Sequence, residues 1–472
     1  MAKAPEPPII DYEAYRDHIG TVDEDGHRKW VFPRKPKGRF HNRRAIVAVV
    51  LLIALFVGPW LRMDGDPLFL FNILERKFII FGLTFWPQDF HLFAIALVTF
   101  FVFIILFTVA FGRIWCGWAC PQTIFMEFVF RKIEYLIEGD APKQRKLSKQ
   151  EWDFEKIWKR SLKYGIFALI AFAIGNLVMA YMIGTDELMK LVTEGPIAHW
   201  GKFTFVMIFS GLFFFVFAYL REQACIAICP YGRLQGVLLD KDSIVVAYDN
   251  VRGETRGRYR KNEDRQAAEK GDCIDCGLCV QVCPTGIDIR DGTQLECVNC
   301  TACMDACDEV MDKVGYERGL VRMASKNNIE KGKKFSYTPR MIAYTVVLVG
   351  LLGFLSFSLT LRNDVEATVL RTKGTMYTMT EDGDISNLYN LQIVNKTRNP
   401  YPLTIKVMNL ENGEVKIVGK TLEIAPQGIT KRSFFVELPT SSLEGMKSNL
   451  VLGFFSGDKK LDQVKTTFLG PM

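Results

Sequence analysis

The sequence predicts a multi-domain membrane protein: an α-helical transmembrane bundle of five spans, the first four a pseudo-duplicated pair, with a cytoplasmic cysteine-rich domain and a C-terminal β-sandwich. Three observations predict it. Five apolar runs approach the roughly 20 residues that a helix needs to cross a bilayer. Eight of the twelve cysteines fall in two runs of the same internal spacing. After the fifth apolar run, short segments alternate apolar and polar residues with the period of a strand.

The 472 residues give room for about three domains. Long apolar blocks alternate with highly charged ones. The net charge of +7 is modest, and the Lys and Arg residues stand mainly beside the apolar blocks. Basic flanks of that kind orient spans, so no nucleic-acid partner is expected. The cysteines cluster with metal-ligand spacing, and none lies beyond Cys307. A disulfide-stapled secreted chain would spread them through small loop-rich domains; clustering argues for thiolates in a reducing compartment. Residues 1–44 are charged and proline-bearing, without the shape of a signal peptide, and read as a basic tail.

The five runs are Ala45–Leu61, Leu92–Phe111, Tyr164–Ile183, Phe203–Leu220 and Met341–Leu361, and the first four define a transmembrane core over 45–241. A sixth apolar patch, Phe78–Trp86, is too short to span and reads as an interfacial or re-entrant piece. Arg34, Lys35, Lys37, Arg39, Arg43 and Arg44 precede the first run, and the loop after the second is as basic. The 62–91 loop holds only Arg62, Arg76 and Lys77, and the 184–202 loop only Lys190 and Lys202. This bias places the tail and the cysteine-rich region in the cytoplasm. The fifth span, 341–361, then carries residues 362–472 to the opposite side, in a bacterium the periplasm.

The second span runs into Arg113-Ile-Trp-Cys116-Gly-Trp-Ala-Cys120-Pro121, and the fourth into Arg221-Glu-Gln-Ala-Cys225-Ile-Ala-Ile-Cys229-Pro230. Each is Cys, three residues, Cys, Pro. Each of these spans also opens with a histidine, His91 or His199, about one membrane thickness away at ~1.5 Å per residue. Two matching features imply a duplicated two-helix unit. A spacing of four puts both sulfurs of a pair on one helix face if the helix continues through them, with the proline ending it. If the halves pack as a pseudo-symmetric pair, Cys116, Cys120, Cys225 and Cys229 converge, and soft thiolates select Cu(I), zinc or iron–sulfur. The plainer alternative is four small cysteines packed at helix ends. His91 and His199 read as interfacial polar anchors or, functionally, as a metal or haem pair on the far side of the bundle. Met179 and Met182 read as core packing rather than copper ligands.

Residues 242–340 form the cysteine-rich domain with a charged lead-in, Arg252–Arg265, and a basic linker, Lys326–Lys334. Cys273, Cys276, Cys279 and Cys283-Pro284 make the bacterial ferredoxin run, and Cys297, Cys300, Cys303 and Cys307 repeat it. Three cysteines two residues apart can wrap one face of a 4Fe–4S cube, and the fourth ligand comes from the other run. Cys273, Cys276, Cys279 and Cys307 are therefore assigned to one cluster, and Cys297, Cys300, Cys303 and Cys283 to the other. A zinc ribbon would need only four thiolates. Asp308 stands where the first run has a proline; with Asp305 and Glu309 it adds negative charge expected to lower a nearby potential.

In the last segment Leu388–Asn395 and Leu403–Met408 alternate with period two, and Asn412-Gly413 before Val415–Val418 reads as a hairpin turn. Ser433–Leu438 and Leu450–Phe455 add strands. Short strands at this spacing suggest a β-sandwich. With no cysteine or histidine there, a docking or stabilising module is the expectation.

Taken together, the paired Cys-xxx-Cys-Pro motifs, Cys273–Pro284 followed by Thr285-Gly-Ile-Asp-Ile-Arg-Asp-Gly292, the second run with Asp308, and Tyr389-Asn-Leu-Gln-Ile-Val-Asn-Lys-Thr397 resemble the FixG/CcoG (RdxA) family of cbb3-type cytochrome c oxidase accessory proteins over nearly the whole chain. Asp308 fits this family's pattern. The resemblance implies an immunoglobulin-like C-terminal domain, a bacterial inner-membrane location, and reduction of Cu(II) to Cu(I) for the oxidase. Cys116, Cys120, Cys225 and Cys229 would then be the copper ligands and the seat of cupric reductase activity. The implied partners are copper ions, an unidentified cytoplasmic electron donor, and copper-delivery and oxidase assembly factors; the oligomeric state is open, a homodimer included. A copper-binding scaffold with redox-sensing clusters and a quinol-linked NapH-type subunit are the alternatives. NapH-type subunits share the four-span core but lack the β-domain.

Overall fold

The computed structural model describes residues 21, 27–261, 263–265, 267–332, 337–372, 374, 376–381, 383–410, 412–419, 423–443 and 445–471. Most of the expected tail before His27, Asn262 of the charged lead-in, and Lys333 and Lys334 of the basic linker lie outside the described residues. The chain divides into two units, Met1–Arg62 with Ala96–Leu352, and Met63–Ile95 with Gly353–Met472. Among the described residues, five helices are long and apolar enough to cross a membrane: Arg39–Trp60, Pro87–Phe111, Phe154–Ile183, Trp200–Leu220 and Pro339–Thr360. These are the five expected runs. The third begins ahead of its apolar run because Asp153 caps it, accepting the Lys156 amide at 2.9 Å.

In the first unit, the third and fourth spans pack through aromatic rings. Phe130 lies 4.6 Å from Phe167 edge-on and 4.7 Å from Phe217 stacked, between ring centroids. Phe130 closes a π-helical turn, Phe125–Phe130, and the fourth span also ends in one, Val216–Leu220. The cysteine-rich domain is built on two antiparallel strands, Val245–Tyr248 and Val321–Ala324, and the helix Ala302–Val314. Its two cysteine runs share a backbone. Asp275 and Asn299 have φ 53°, and the next-but-one residues, Gly277 and Thr301, have φ 65° and 62° before helices Leu278–Gln281 and Ala302–Val314. A β-branched residue at positive φ is strained, and Thr301 is fully buried.

The first span has no capping side chain of its own at Gly38. Asp305, from the second cysteine run, accepts the Phe40 amide at 3.1 Å and the His41 amide at 2.7 Å, so the cap comes from another domain. Gly38 has φ 141°, and a Cβ there would collide with the Asp305 carboxylate.

The second unit is a β-sandwich. One antiparallel sheet has the order Glu414–Ile417, Ile429–Leu438, Ile385–Asn395, Val365–Arg371, with Thr378–Met379 on the third strand; the other has Thr404–Val407, Lys447–Ser456, Lys459–Leu469. Alternate residues of both, including Ile393, Val436, Leu452 and Phe454, are fully buried between them. Tyr389 crosses that core to donate its hydroxyl to the Thr467 carbonyl at 2.9 Å. The expected strands are present, but the expected hairpin is not. The strands on either side of Asn412-Gly413 pair in different sheets, with Lys447–Ser456 and Ile429–Leu438. The turn is a crossover: Asn412 takes φ 61°, yet each strand finds its partner elsewhere.

Residues 63–95 join this unit. Phe78–Trp86, expected to be interfacial or re-entrant, belongs largely to the antiparallel strands Lys77–Ile80 and Leu83–Phe85, paired in order with Phe69–Asn72. β-Branched and aromatic residues at alternating positions suit that ladder. Buried Asp89 accepts from Arg362 at 2.8 Å and from Lys396 at 2.7 Å, while Asp66 accepts from Arg398 at 3.0 Å.

Candidate functional site

Two small cavities lie in the cysteine-rich domain. Cys283, Cys297, Cys300 and Cys303 line the first; Cys273, Cys276 and Cys307 line the second; Cys279 borders both. The walls are otherwise largely apolar: Val246, Ile287, Ile289 and Val298 in one, Val310, Met311, Leu320 and Val321 in the other. Each cavity therefore draws its cysteines from both runs, the crossed arrangement expected from the spacing. Burial pushes the thiols of Cys279, Cys297 and Cys307 up to about 12, and that of Cys300 to about 11. Thiols this desolvated carry charge only when a cation sits among them, as in a metal cluster. Donor set, cavity and walls fit a 4Fe–4S group in each.

The carboxylates near the second run are all partnered. Asp305 caps the first span, Asp308 pairs with Arg39 at 3.2 Å and accepts the Gly319 amide at 3.0 Å, and Glu309 pairs with Lys313 at 2.5 Å.

The membrane-end pairs differ from the continuous helix expected. Cys116 lies in Ile114–Trp118 and Cys225 in the π-helical turn Ala224–Ile228, but Cys120 and Cys229 are extended, with ψ 126° and 111°. Pro121 and Pro230 then open new helices, Pro121–Ile124 and Pro230–Leu238, at the position where a missing N–H is harmless. The proline starts a helix where the sequence suggested that it ends one. The four thiols are electrostatically coupled nonetheless. Burial raises the Cys116 thiol, with Cys120 and Cys229 adding to it; burial also raises Cys225, to about 12, with Cys120, Cys116 and Cys229 adding. Among the described residues, no three His, Cys, Asp or Glu side chains close on one point as a single-ion site would have them.

Arg113 and Gln235 hold Cys116. Cys116 Sγ donates to Gln235 Oε1 at 3.2 Å, and Arg113 Nε donates to the same oxygen at 2.9 Å. Arg113 also donates to the Leu295 carbonyl, two residues before Cys297, and opposes the rise of the Cys116, Cys225 and Cys297 thiols. The Ile114–Trp118 segment sits directly on the second cysteine run: a Cβ on Gly117 would stand 2.9 Å from the Asn299 carbonyl, and only glycine permits the approach. The Cys116 segment thus abuts Val298, in the wall of the cavity lined by Cys297 and Cys300.

Beside Cys225 lies a buried charge network. Arg221 grips Glu134 with two hydrogen bonds of 2.7 and 2.9 Å; Arg131 pairs with Glu127 and with Glu222 at 3.5 Å and donates to the Pro284 carbonyl at 2.9 Å; Lys163 pairs with Glu138 at 2.8 Å. Burial alone would raise the Glu134 carboxyl, but Arg221 and Lys163 outweigh it and hold it below its ordinary value. Neither this network nor Arg113 was anticipated, although the sequence carried a signal: an arginine three or four residues before the first cysteine of each pair. His199 stands 2.5 Å from Glu194, and His91 is exposed at the start of its helix.

Sequence-family comparison matches residues 93–140 to a 4Fe-4S binding domain, 220–326 to a 4Fe-4S dicluster domain, and 355–471 to the Ig-like fold at the C-terminus of FixG. Fold and site define a multi-pass membrane protein that carries iron–sulfur clusters for electron transfer. The chain is 31% identical to nitrogen fixation protein FixG of Rhizobium meliloti over 87% of each chain, and 36% and 35% identical to proteins RdxA and RdxB of Cereibacter sphaeroides over 77% and 78% of its length and 79% and 80% of theirs. It belongs to the FixG/RdxA family.

Proposed function

We propose that this chain is a cupric reductase of the bacterial inner membrane that serves the assembly of cbb3-type cytochrome c oxidase. Cys273, Cys276, Cys279 and Cys307 hold one 4Fe–4S cluster, and Cys297, Cys300, Cys303 and Cys283 the other. Each cluster supplies one-electron storage. Cys116, Cys120, Cys225 and Cys229 bind copper ion as substrate: Cu(II) gains one electron, no bond to protein is made or broken covalently, and thiolates favour the Cu(I) product. The observation that carries this reading is the seating of the Cys116 segment on the Val298–Asn299 backbone, which brings the first Cys-xxx-Cys-Pro pair up to the second cysteine run. The duplicated two-helix unit is supported by the matching extended Cys120 and Cys229, each followed by a helix that proline opens. A cytoplasmic cluster domain and a periplasmic β-domain are supported by the basic flanks. The grouping of residues 63–95 with the C-terminal strands in one unit, both expected on the same side, supports it too.

The test uses anaerobically purified protein with dithionite-reduced clusters, freed of excess reductant, to which Cu(II) and a Cu(I)-specific chelator are added. Cu(I) should appear as the cluster absorption returns, and a Cys116/Cys120/Cys225/Cys229→Ser variant should lose the reaction. Equal yield from that variant would defeat the proposal. A second reading has its own observation: the 93–140 match to a 4Fe-4S binding domain contains no cysteines but Cys116 and Cys120. On that reading the quartet holds a third cluster, and iron analysis would give about twelve irons per chain rather than about eight.

A further inference from the structure

A cavity of about 470 Å³ in the first unit lies on the cysteine-rich domain and has no place in the scheme above. Its size is that of small-molecule sites, roughly 300–1,000 Å³. The strand Val245–Tyr248 forms one wall, and its alternation decides what the cavity faces. Val245 and Ala247 point into it, while Val246 points the other way, into the cavity of Cys283, Cys297, Cys300 and Cys303. Tyr248 and Arg290 line both this pocket and the cavity of Cys273, Cys276 and Cys307. One layer of side chains therefore separates an occupant from both cluster cavities at once.

The rest of the wall is mixed. Leu295 and Ile329 supply apolar surface, Thr293 and Gln294 hydrogen-bonding groups. Arg290 is neutralised by Asp288 and Asp275, at 2.6 Å each, and Lys326 lies 3.7 Å from Glu330, so the lining has no strong excess of either charge. The lip, Leu239 and Asp240, sits at the base of the spans. Leu238 packs with Val109, Ala110 and Met341, and Arg340 reaches the Leu238 carbonyl at 3.4 Å.

We propose that this pocket binds a hydroquinone-type ring, a quinol or a dihydroflavin, as the source of electrons for the two clusters. The chemistry fits the wall: a flat, largely apolar ring with two polar edges suits a mixed, near-neutral lining better than a charged donor would. The count also fits. Oxidation of one ring releases two electrons and two protons; one electron goes to each of two clusters, and the protons go to water. The proposal rests on the electron-transfer part of the reading above but not on copper.

The test uses the full cluster-bearing chain in nanodiscs, with Ala247→Phe and Thr293→Trp as independent variants that fill the pocket. Two quantities are read: binding of oxidised FMN and of menadione, by fluorescence titration, and bleaching of the cluster absorption by dihydro-FMN or menadiol. Dithionite should reduce wild type and variants alike, which shows the clusters present. Binding should weaken, and bleaching by the effective ring should slow, by about tenfold or more in either variant, because the pocket can no longer bury the ring. If menadiol alone acts on wild type, the source is a membrane quinol; if dihydro-FMN alone acts, it is a soluble flavin. Failure of both rings to bind and reduce wild type, or equal rates in wild type and a dithionite-reducible variant, overturns the proposal. Copper reduction by dithionite-reduced protein bypasses the pocket, so a failed copper reading would show separately.

Discussion

Asp305 does its main structural work outside its own helix, closing the first turn of a span far away in sequence. Asp305→Ala should cost about 1–2 kcal/mol, as for loss of an N-cap, and hydrogen exchange at the Phe40 and His41 amides should quicken; unchanged exchange would contradict the assignment. Arg113 is the matching case at the quartet. Arg113→Gln removes a buried positive charge beside Cys297, so the midpoint potential of the cluster there should fall, on the order of tens of millivolts. A redox titration followed by EPR checks this, with the Cys273 cluster moving less. Both residues stood in the sequence motifs, but neither role could be read there, since Asp305 counted only as a charge near a cluster. A cap that arrives from another domain leaves only a negative trace, the missing Ser, Thr, Asp or Asn at Gly38.

At the scale of elements, the cysteine runs were the most legible part because their geometry is local: three thiolates on a short loop need no distant residue to aim them. The membrane-end pairs were legible as a pattern but not as a shape. Helix continuity through Cys120 and Cys229 depends on whether proline closes or opens a helix, and the surrounding packing decides that. Asn412-Gly413 failed for a related reason, since a turn dipeptide fixes the bend but not the sheet that each arm joins. The elements around the quartet are held by buried ion pairs, and these carry a pH signature. Glu134 titrates below its ordinary 4.5, so its contribution is fully present above that value and is lost as the pH falls through the lower folded value. Glu134→Gln should leave the buried Arg221 without its two-bond carboxylate partner, while Lys163 keeps Glu138, costing about 3–5 kcal/mol at neutral pH. Denaturant melts from pH 7 down to about pH 2 should show wild type approaching the variant only below the ordinary 4.5; curves that stay parallel to the lowest pH would argue that Glu134 is not the charged member.

At the scale of the whole molecule, five spans and the C-terminal sandwich were foreseeable from apolar run length and period-two alternation. The recruitment of residues 63–95 into the sandwich unit was not, because a short loop between spans carries no mark of its partner. Asp89 is the test of that union. Asp89→Asn weakens the pairing with Arg362 and Lys396, both buried or nearly so, and should lower the melting temperature of the β-unit by several degrees, about 3 kcal/mol for a broken buried pair. A variant melting like wild type would mean that the loop docks by its apolar strands alone.

The cap on the first span also has a history within each molecule's making. Asp305 lies 265 positions after Phe40, and a ribosome adding roughly 5–20 residues per second needs on the order of tens of seconds to reach it. Until then the helix enters the bilayer with open amides at its start. Its completion awaits the second cysteine run, which must in turn be folded around its metal. A cell short of iron would hold chains whose first span is threaded but unfinished, with the basic stretch before Gly38 displayed to quality-control proteases. Pulse-labelled chains made under iron limitation should therefore be degraded faster than those made in iron-replete cells, and Asp305→Ala should remove most of that difference.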